Sequence, residues 1–214
     1  MKAKQIRAVV CSSILKGGES MSARVFVGAF MVALTVPAMA AEESYVIEPV
    51  HSQPQWETRH INMSPQRGSF GKVSGKITLD REAKKGSIDM TIDATSIRTF
   101  DGRLDAIAKG DRFFNVEKFP TLTFKSDKFI FDGDRVVGVD GDFTMIGVTK
   151  PVSFKVVNFT CGENPFNKKP MCGAEATATI KRSDWGMTNG LNISNPGDEI
   201  KLLIPIEAYR ETAP

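Results

Sequence analysis

From Tyr45 onward, apolar and polar positions alternate along most of the chain, which is the period of half-buried β-strands. Tyr45 to Glu48 opens the series, and Gln55 to Ile61 follows with Trp56, Thr58 and His60 on one face. Gly71 to Asp80 sets Val73, Gly75, Ile77 and Leu79 against Lys72, Ser74 and Lys76. Ile88, Met90 and Ile92 then oppose Asp89, Thr91 and Asp93, and Leu122 and Phe124 alternate with Thr123 and Lys125. Val137, Val139, Phe143 and Met145 continue the pattern, followed by Val152, Phe154 and Val156, then Ala176, Ala178 and Ile180. The last run places Ile200, Leu202, Ile204 and Ile206 against Lys201 and Glu207. Turn residues separate the runs, as in Asp132-Gly133-Asp134 and Asn195-Pro196-Gly197-Asp198. About eight or nine short strands with tight connections predict an all-β fold. A closed antiparallel barrel of eight strands is favoured because closure removes exposed edges. The periodicity is also compatible with a two-sheet sandwich.

One segment, Arg98 to Ser126, breaks this pattern. Asp101 is placed to cap a helix carrying Arg103, Leu104 and Asp105, with Leu104, Ile107 and Ala108 at inward spacing and Gly110 at its end. Phe113 and Phe114 follow as neighbours, which in an extended chain would face opposite ways. A barrel interrupted once by a short helix and an aromatic cluster predicts either a lid over an apolar ligand or a plug of ordinary core.

The beginning of the chain follows different rules. Val25 to Val36 is an uninterrupted apolar run after Arg24, and Ala38 and Ala40 supply a small-residue cleavage pattern. Residues 1–40 are expected to be a signal peptide cleaved after Ala40, with Met21 as an alternative start; an uncleaved anchor is the competing reading. Residues 41–214 then form one domain. The first forty residues hold five basic side chains and one acidic, so the remainder holds 23 and 24. The formal charge changes from +3 to −1, leaving no field to attract nucleic acid. Cys161 and Cys172 remain as an even pair, expected to form a disulfide in an exported, periplasmic protein.

Chemistry-bearing motifs are sparse. His51 and His60 are the two histidines, and the chain lacks a nucleophile elbow, an His-Glu-x-x-His helix, a phosphate loop and a dinucleotide fingerprint. No enzyme activity, metal or cofactor is expected. His60 shares a face with Trp56, and reads either as a hydrogen-bonded core residue or as a ligand contact.

An ordered set of motifs resembles the YceI-like family of exported, lipocalin-like barrels that bind polyisoprenoid or related lipids. These are YVIEPVHS from Tyr45, WETRH from Trp56, GSFGKVSGKITLD, TSIRTF, RFFNVEKFPTLTFKS, GDFTMIGVTKPVSF and IKRSDWGM, spread from Tyr45 to Tyr209. The chain departs from the family pattern at Arg103, where a histidine is usual, at Asn115 in place of aspartate, and at Phe143 and Ile146.

The resemblance implies an eight-stranded antiparallel lipocalin-like barrel with one short helical lid or plug. Its ligand would be an isoprenoid quinone, a polyprenyl phosphate or a fatty-acid derivative. Trp56, Thr58, His60, Met90, Phe124, Phe143, Met145 and Phe154 are expected to line the cavity. Phe100, Phe113 and Phe114 belong to the lid, Arg98 and Arg103, with Arg112 beside them, would meet an anionic head group, and Trp185 and Met187 would either stand at the rim or pack in the core. Burying about 40 carbons at ~0.8 kcal/mol per CH₂ exceeds any observed affinity, so most of the gain must be lost to ordering and to extraction from a membrane. The expected partners are therefore the lipid and, transiently, a membrane, with a homodimer as a further option. The alternatives are a structural or stress-response barrel without lipid and, more remotely, an enzyme acting on such a lipid.

Overall fold

The computed structural model describes residues 42–211, and the expected signal peptide lies outside them. Among the described residues, eleven strands form eight barrel staves. β1 (Glu43–Ile47) and β2 (Gln55–His60) both pair antiparallel with β11 (Glu199–Arg210), β1 along its end and β2 along its start. They are therefore one stave with a break. β3 (Ser64–Phe70) and β4 (Val73–Asp80) form the second stave, lying against β2 and β1 respectively. The third comprises β5 (Lys85–Asp93), a 3₁₀ turn (Ala94–Ser96) and β6 (Ile97–Arg98), against β4 and β3. The unbroken staves β7 (Thr121–Asp132), β8 (Arg135–Met145), β9 (Val148–Glu163) and β10 (Pro170–Lys181) follow in order, and β11 closes the ring on the first stave. Every stave pairs with its neighbour in sequence. The fold is thus a closed eight-stranded antiparallel barrel, and the sandwich alternative is excluded.

The breaks survive because side chains supply the missing ladder bonds. Ser52, fully buried between β1 and β2, donates from Oγ to Glu207 O (3.1 Å) and accepts from Glu207 N (2.8 Å). In the second stave, Gly71 N donates to Ser96 O (3.2 Å) and Lys72 N to Ser96 Oγ (3.1 Å). The carboxylate of Asp93 caps the 3₁₀ turn by accepting from Thr95 N at 2.8 Å. These serines belong to the motifs VHS and TSI, so local sequence prescribes the repair of each break.

Two features depart from the sequence expectation. β3 reads SPQRGSF and is mostly exposed, so no apolar alternation marks it; it forms because β2 and β6 flank it. The helix α1 (Gly102–Lys109) begins as expected, with Asp101 accepting from Arg103 N, and ends at an extended Gly110. It contains no buried residue, and Leu104 and Ile107 are about half exposed, at 47% and 55%. The helix is not a plug. Its apolar residues border open space.

The expected disulfide is present. Cys161 and Cys172 face each other in register across β9 and β10, with Cα atoms 4.0 Å apart.

Candidate functional site

A cavity of about 740 Å³ occupies one half of the barrel beneath α1. A second, about 100 Å³ and almost wholly apolar, lies beside it; Met90, Phe124, Phe154 and Ile204 border both and form a waist between them. Phe124 and Phe154 meet edge to face at 5.1 Å. The strand pattern makes this floor: inward positions of β5, β7, β8, β9 and β11 supply Met90, Ile92, Leu122, Phe124, Phe143, Met145, Phe154 and Ile204.

The first stave supplies one wall. Trp56, Thr58 and His60 line the cavity from β2, and Gln66, Arg67 and Phe70 from β3. The Trp56 indole lies across Gly68, its partner in register, where a Cβ would stand only 2.6 Å from Cε2. The buried indole N–H has no acceptor. Thr58 is buried and donates to Gly197 O (3.3 Å) and Glu199 O (3.2 Å).

The lid segment forms the roof. Leu104, Ile107 and Ala108 of α1 line the cavity, as do Phe113 and Phe114. The two phenylalanines serve one cavity because residues 110–115 are wound into turns rather than extended: Phe113 N donates to Gly110 O, and Phe114 N to Ala108 O. Phe114 packs edge to face on Phe70 at 5.5 Å. Phe100 borders the cavity and is 92% exposed. Asp105 anchors the helix to the end of the third stave, accepting from Thr99 N (2.5 Å) and Thr99 Oγ1 (2.6 Å). Those bonds hold the Asp105 carboxyl below the usual aspartate range.

Four residues expected at the site stand elsewhere. Arg98 and Arg112 are absent from the cavity lining, and Arg98 lies beside Gly71. Arg103 is also outside it, folded onto its own helix cap: Nη2 lies 2.6 Å from Asp101 Oδ2 and Nε 3.0 Å from Oδ1. Trp185 is buried, donates from Nε1 to Phe143 O at 3.2 Å and stacks edge-on against Phe143. It is core, while its neighbour Met187 lines the cavity.

The sequence reading missed Arg182. It is 1% exposed, lines the cavity and pins the loop after β10. Nε donates to Gly197 O (2.9 Å), Nη1 to Met187 O (2.6 Å), and Nη2 to Asn189 O (2.8 Å) and Pro196 O (2.7 Å). Burial lowers its pKa, opposed by the charge of Asp198, but four carbonyl acceptors suit a guanidinium. The loop it holds brings Asn189, Asn195 and Pro196 to the mouth. Outside the cavity, Glu48, His51 and Glu207 bring potential metal-ligating atoms within 4.8 Å of one another. Glu48 is already occupied there, accepting from Val50 N, His51 N and His51 Nδ1.

These features define a closed eight-stranded barrel with an amphipathic cavity, apolar in its depth and polar at its mouth. The YceI-like domain matches residues 45–208, and the chain belongs to that family. It is 30% identical over 175 residues to the UPF0312 protein of Pseudomonas aeruginosa, covering 81% of this chain and 90% of that protein. It is 29% identical to Protein YceI of Salmonella newport over 87% of this chain and 96% of that one. Among solved structures it resembles the YCEI protein of Campylobacter jejuni (TM-score 0.61, 25% identity, 72% of this chain and 90% of that one). It also shares the fold of a polyisoprenoid binding domain from Saccharophagus degradans (TM-score 0.57, 13% identity, 78% of this chain and 98% of that one).

Proposed function

We propose that this protein binds and carries one amphipathic lipid with a long isoprenoid or acyl tail, tail inward and polar end at the mouth, in the periplasm. The open apolar cavity under α1 carries the reading. Leu104, Ile107 and Phe100 are exposed although they border it, so the roof has an apolar face that the described residues leave uncovered. A lipid tail would cover that face and fill the floor between Met90, Phe143 and Met145, a gain that grows with each buried methylene. The Saccharophagus degradans domain with the same fold, described as polyisoprenoid binding, supports the ligand class. The Cys161–Cys172 disulfide supports an oxidising compartment. Binding without turnover fits a lining dominated by groups that cannot act as acid, base or nucleophile.

The test is extraction and reloading. Protein purified from a lipid-rich host is denatured and its extract analysed by mass spectrometry, and the refolded protein is offered an isoprenoid quinone and a polyprenyl lipid. One lipid per chain is expected. An empty extract together with no uptake would overturn the carrier reading in favour of a barrel that serves without a ligand.

A further inference from the structure

Resting on the carrier reading, we infer that the barrel docks mouth-first on the surface of an anionic phospholipid bilayer, through an apolar patch free of carboxylates that the β2–β3 turn and the loop after β10 form together. His60 at the end of β2, and Asn189, Asn195 and Pro196 in the loop, border the cavity. In the same two segments stand three exposed apolar side chains that are not part of its lining: Ile61, Met63 (75% exposed) and Ile193 (60%).

The patch is tied in place. Ile61 N donates to Ser194 O (2.8 Å), Asn62 Nδ2 to Ser194 Oγ (3.1 Å) and Gly197 N to Arg59 O (2.8 Å), so turn and loop are joined. Ile61 has φ 42°, in the left-handed region that a branched side chain seldom adopts. Solvent alone gives no reason for isoleucine at that position. A turn that must hold an apolar side chain in one direction does.

Charge identifies the surface the patch meets. About one residue in four of the chain is charged, yet residues 60–66 and 186–197 hold no Asp, Glu, Lys or Arg. The flanking carboxylates are engaged: Glu57 by Arg67 (2.6 Å) and Lys201 (3.4 Å), and Asp198 by Ser183 N (3.0 Å) and Oγ (2.9 Å). Arg59 is exposed, and its guanidinium meets only carbonyls, Met63 O at 2.7 Å and Asn62 O at 3.3 Å. No carboxylate of the described residues pairs with it. An unpaired cation behind a neutral, apolar tip matches anionic head groups above hydrocarbon. A protein partner would instead call for aromatic anchors within a charged rim, and the patch has neither. Docking here sets the mouth against the bilayer, so a tail passes from membrane to cavity without crossing water.

The protein, purified from its host and freed of lipid, is floated with vesicles of equal parts phosphatidylglycerol and phosphatidylethanolamine. Its loading with an isoprenoid quinone is timed from those vesicles and, separately, from detergent. Met63→Ser with Ile193→Ser should weaken vesicle binding at least about tenfold and slow loading from vesicles to match. Loading from detergent should keep the wild-type rate. Asn192, exposed within the patch, reports the sign of the charge: Asn192→Lys should tighten vesicle binding about fivefold, and Asn192→Asp should weaken it about fivefold. Binding unchanged by the double substitution, or a lysine and an aspartate at 192 that act alike, overturns the docking inference and leaves the carrier reading intact. Wild-type protein that loads from detergent but does not float with vesicles does the same, and turns the patch over to a protein partner. Failure to load from either source overturns both.

Discussion

Trp56 and Gly68 stand opposite each other in the β2–β3 ladder, and the indole occupies the space that a side chain at position 68 would need. The absent Cβ is what lets a tryptophan lie flat against the cavity wall. Gly68→Ala should force the indole off the strand, at a cost of about 1–3 kcal/mol from overpacking. Denaturant unfolding measures the loss, and a shifted tryptophan emission shows that the ring has moved. Unchanged stability together with unchanged emission would show that a Cβ fits at position 68 without displacing the ring, and would overturn this reading of the pair.

The roof should be separable from the fold. Leu104 and Ile107 are about half exposed, so Leu104→Asn with Ile107→Asn should change stability by only about 0.5 kcal/mol per site. Lipid uptake should fall several-fold, because the covered tail loses its apolar roof. If stability collapses instead, the helix is part of the core in solution.

Arg182 should behave as a structural clamp. Arg182→Met leaves four buried or half-buried carbonyls without their donor, and a cost of about 3–5 kcal/mol is expected. Arg182→Lys should rescue little, since one ammonium cannot reproduce the planar fork. Hydrogen exchange would show residues 187–198 losing protection first in both variants.

Tyr45 gives the fold an alkaline limit. Its hydroxyl is pushed up to about 12 by burial, then by its hydrogen bond to Glu43 and the charge of that carboxylate. The folded state holds the neutral phenol more strongly than the unfolded chain, whose phenol titrates near pH 10. The resulting stability is complete below about pH 10 and is lost as pH rises toward 12. Denaturation midpoints taken between pH 9 and pH 12 should fall across that window and flatten in Tyr45→Phe. A decline that persists in Tyr45→Phe assigns the effect to another group.

Much of this architecture could be read along the chain because strand period two and helix capping are local properties. Alternation placed Met90, Phe124, Phe143, Met145 and Phe154 on inward faces, and Asp101 marked the start of the helix to the residue. β3 escaped notice because its residues are polar on both sides, and only neighbouring staves make it a strand. The turned backbone that brings Phe113 and Phe114 to one cavity, and the burial of Arg182 under the loop that follows it, depend on how that backbone packs and not on the alternation of side chains.

By itself the sequence determined an all-β fold, the site of the interruption, the cysteine pair and the inward apolar positions, each written in residue spacing. Barrel rather than sandwich rested on the resemblance to the YceI-like family. Only the tertiary structure decided that the barrel is hollow under α1 and that the helix roofs the cavity rather than filling it. It also decided that the arginines flanking the lid stay outside. Periodicity tells which way a side chain points. Whether the space it points into is filled, and whether a charge arriving there already has a partner, is settled by how all eight staves close together.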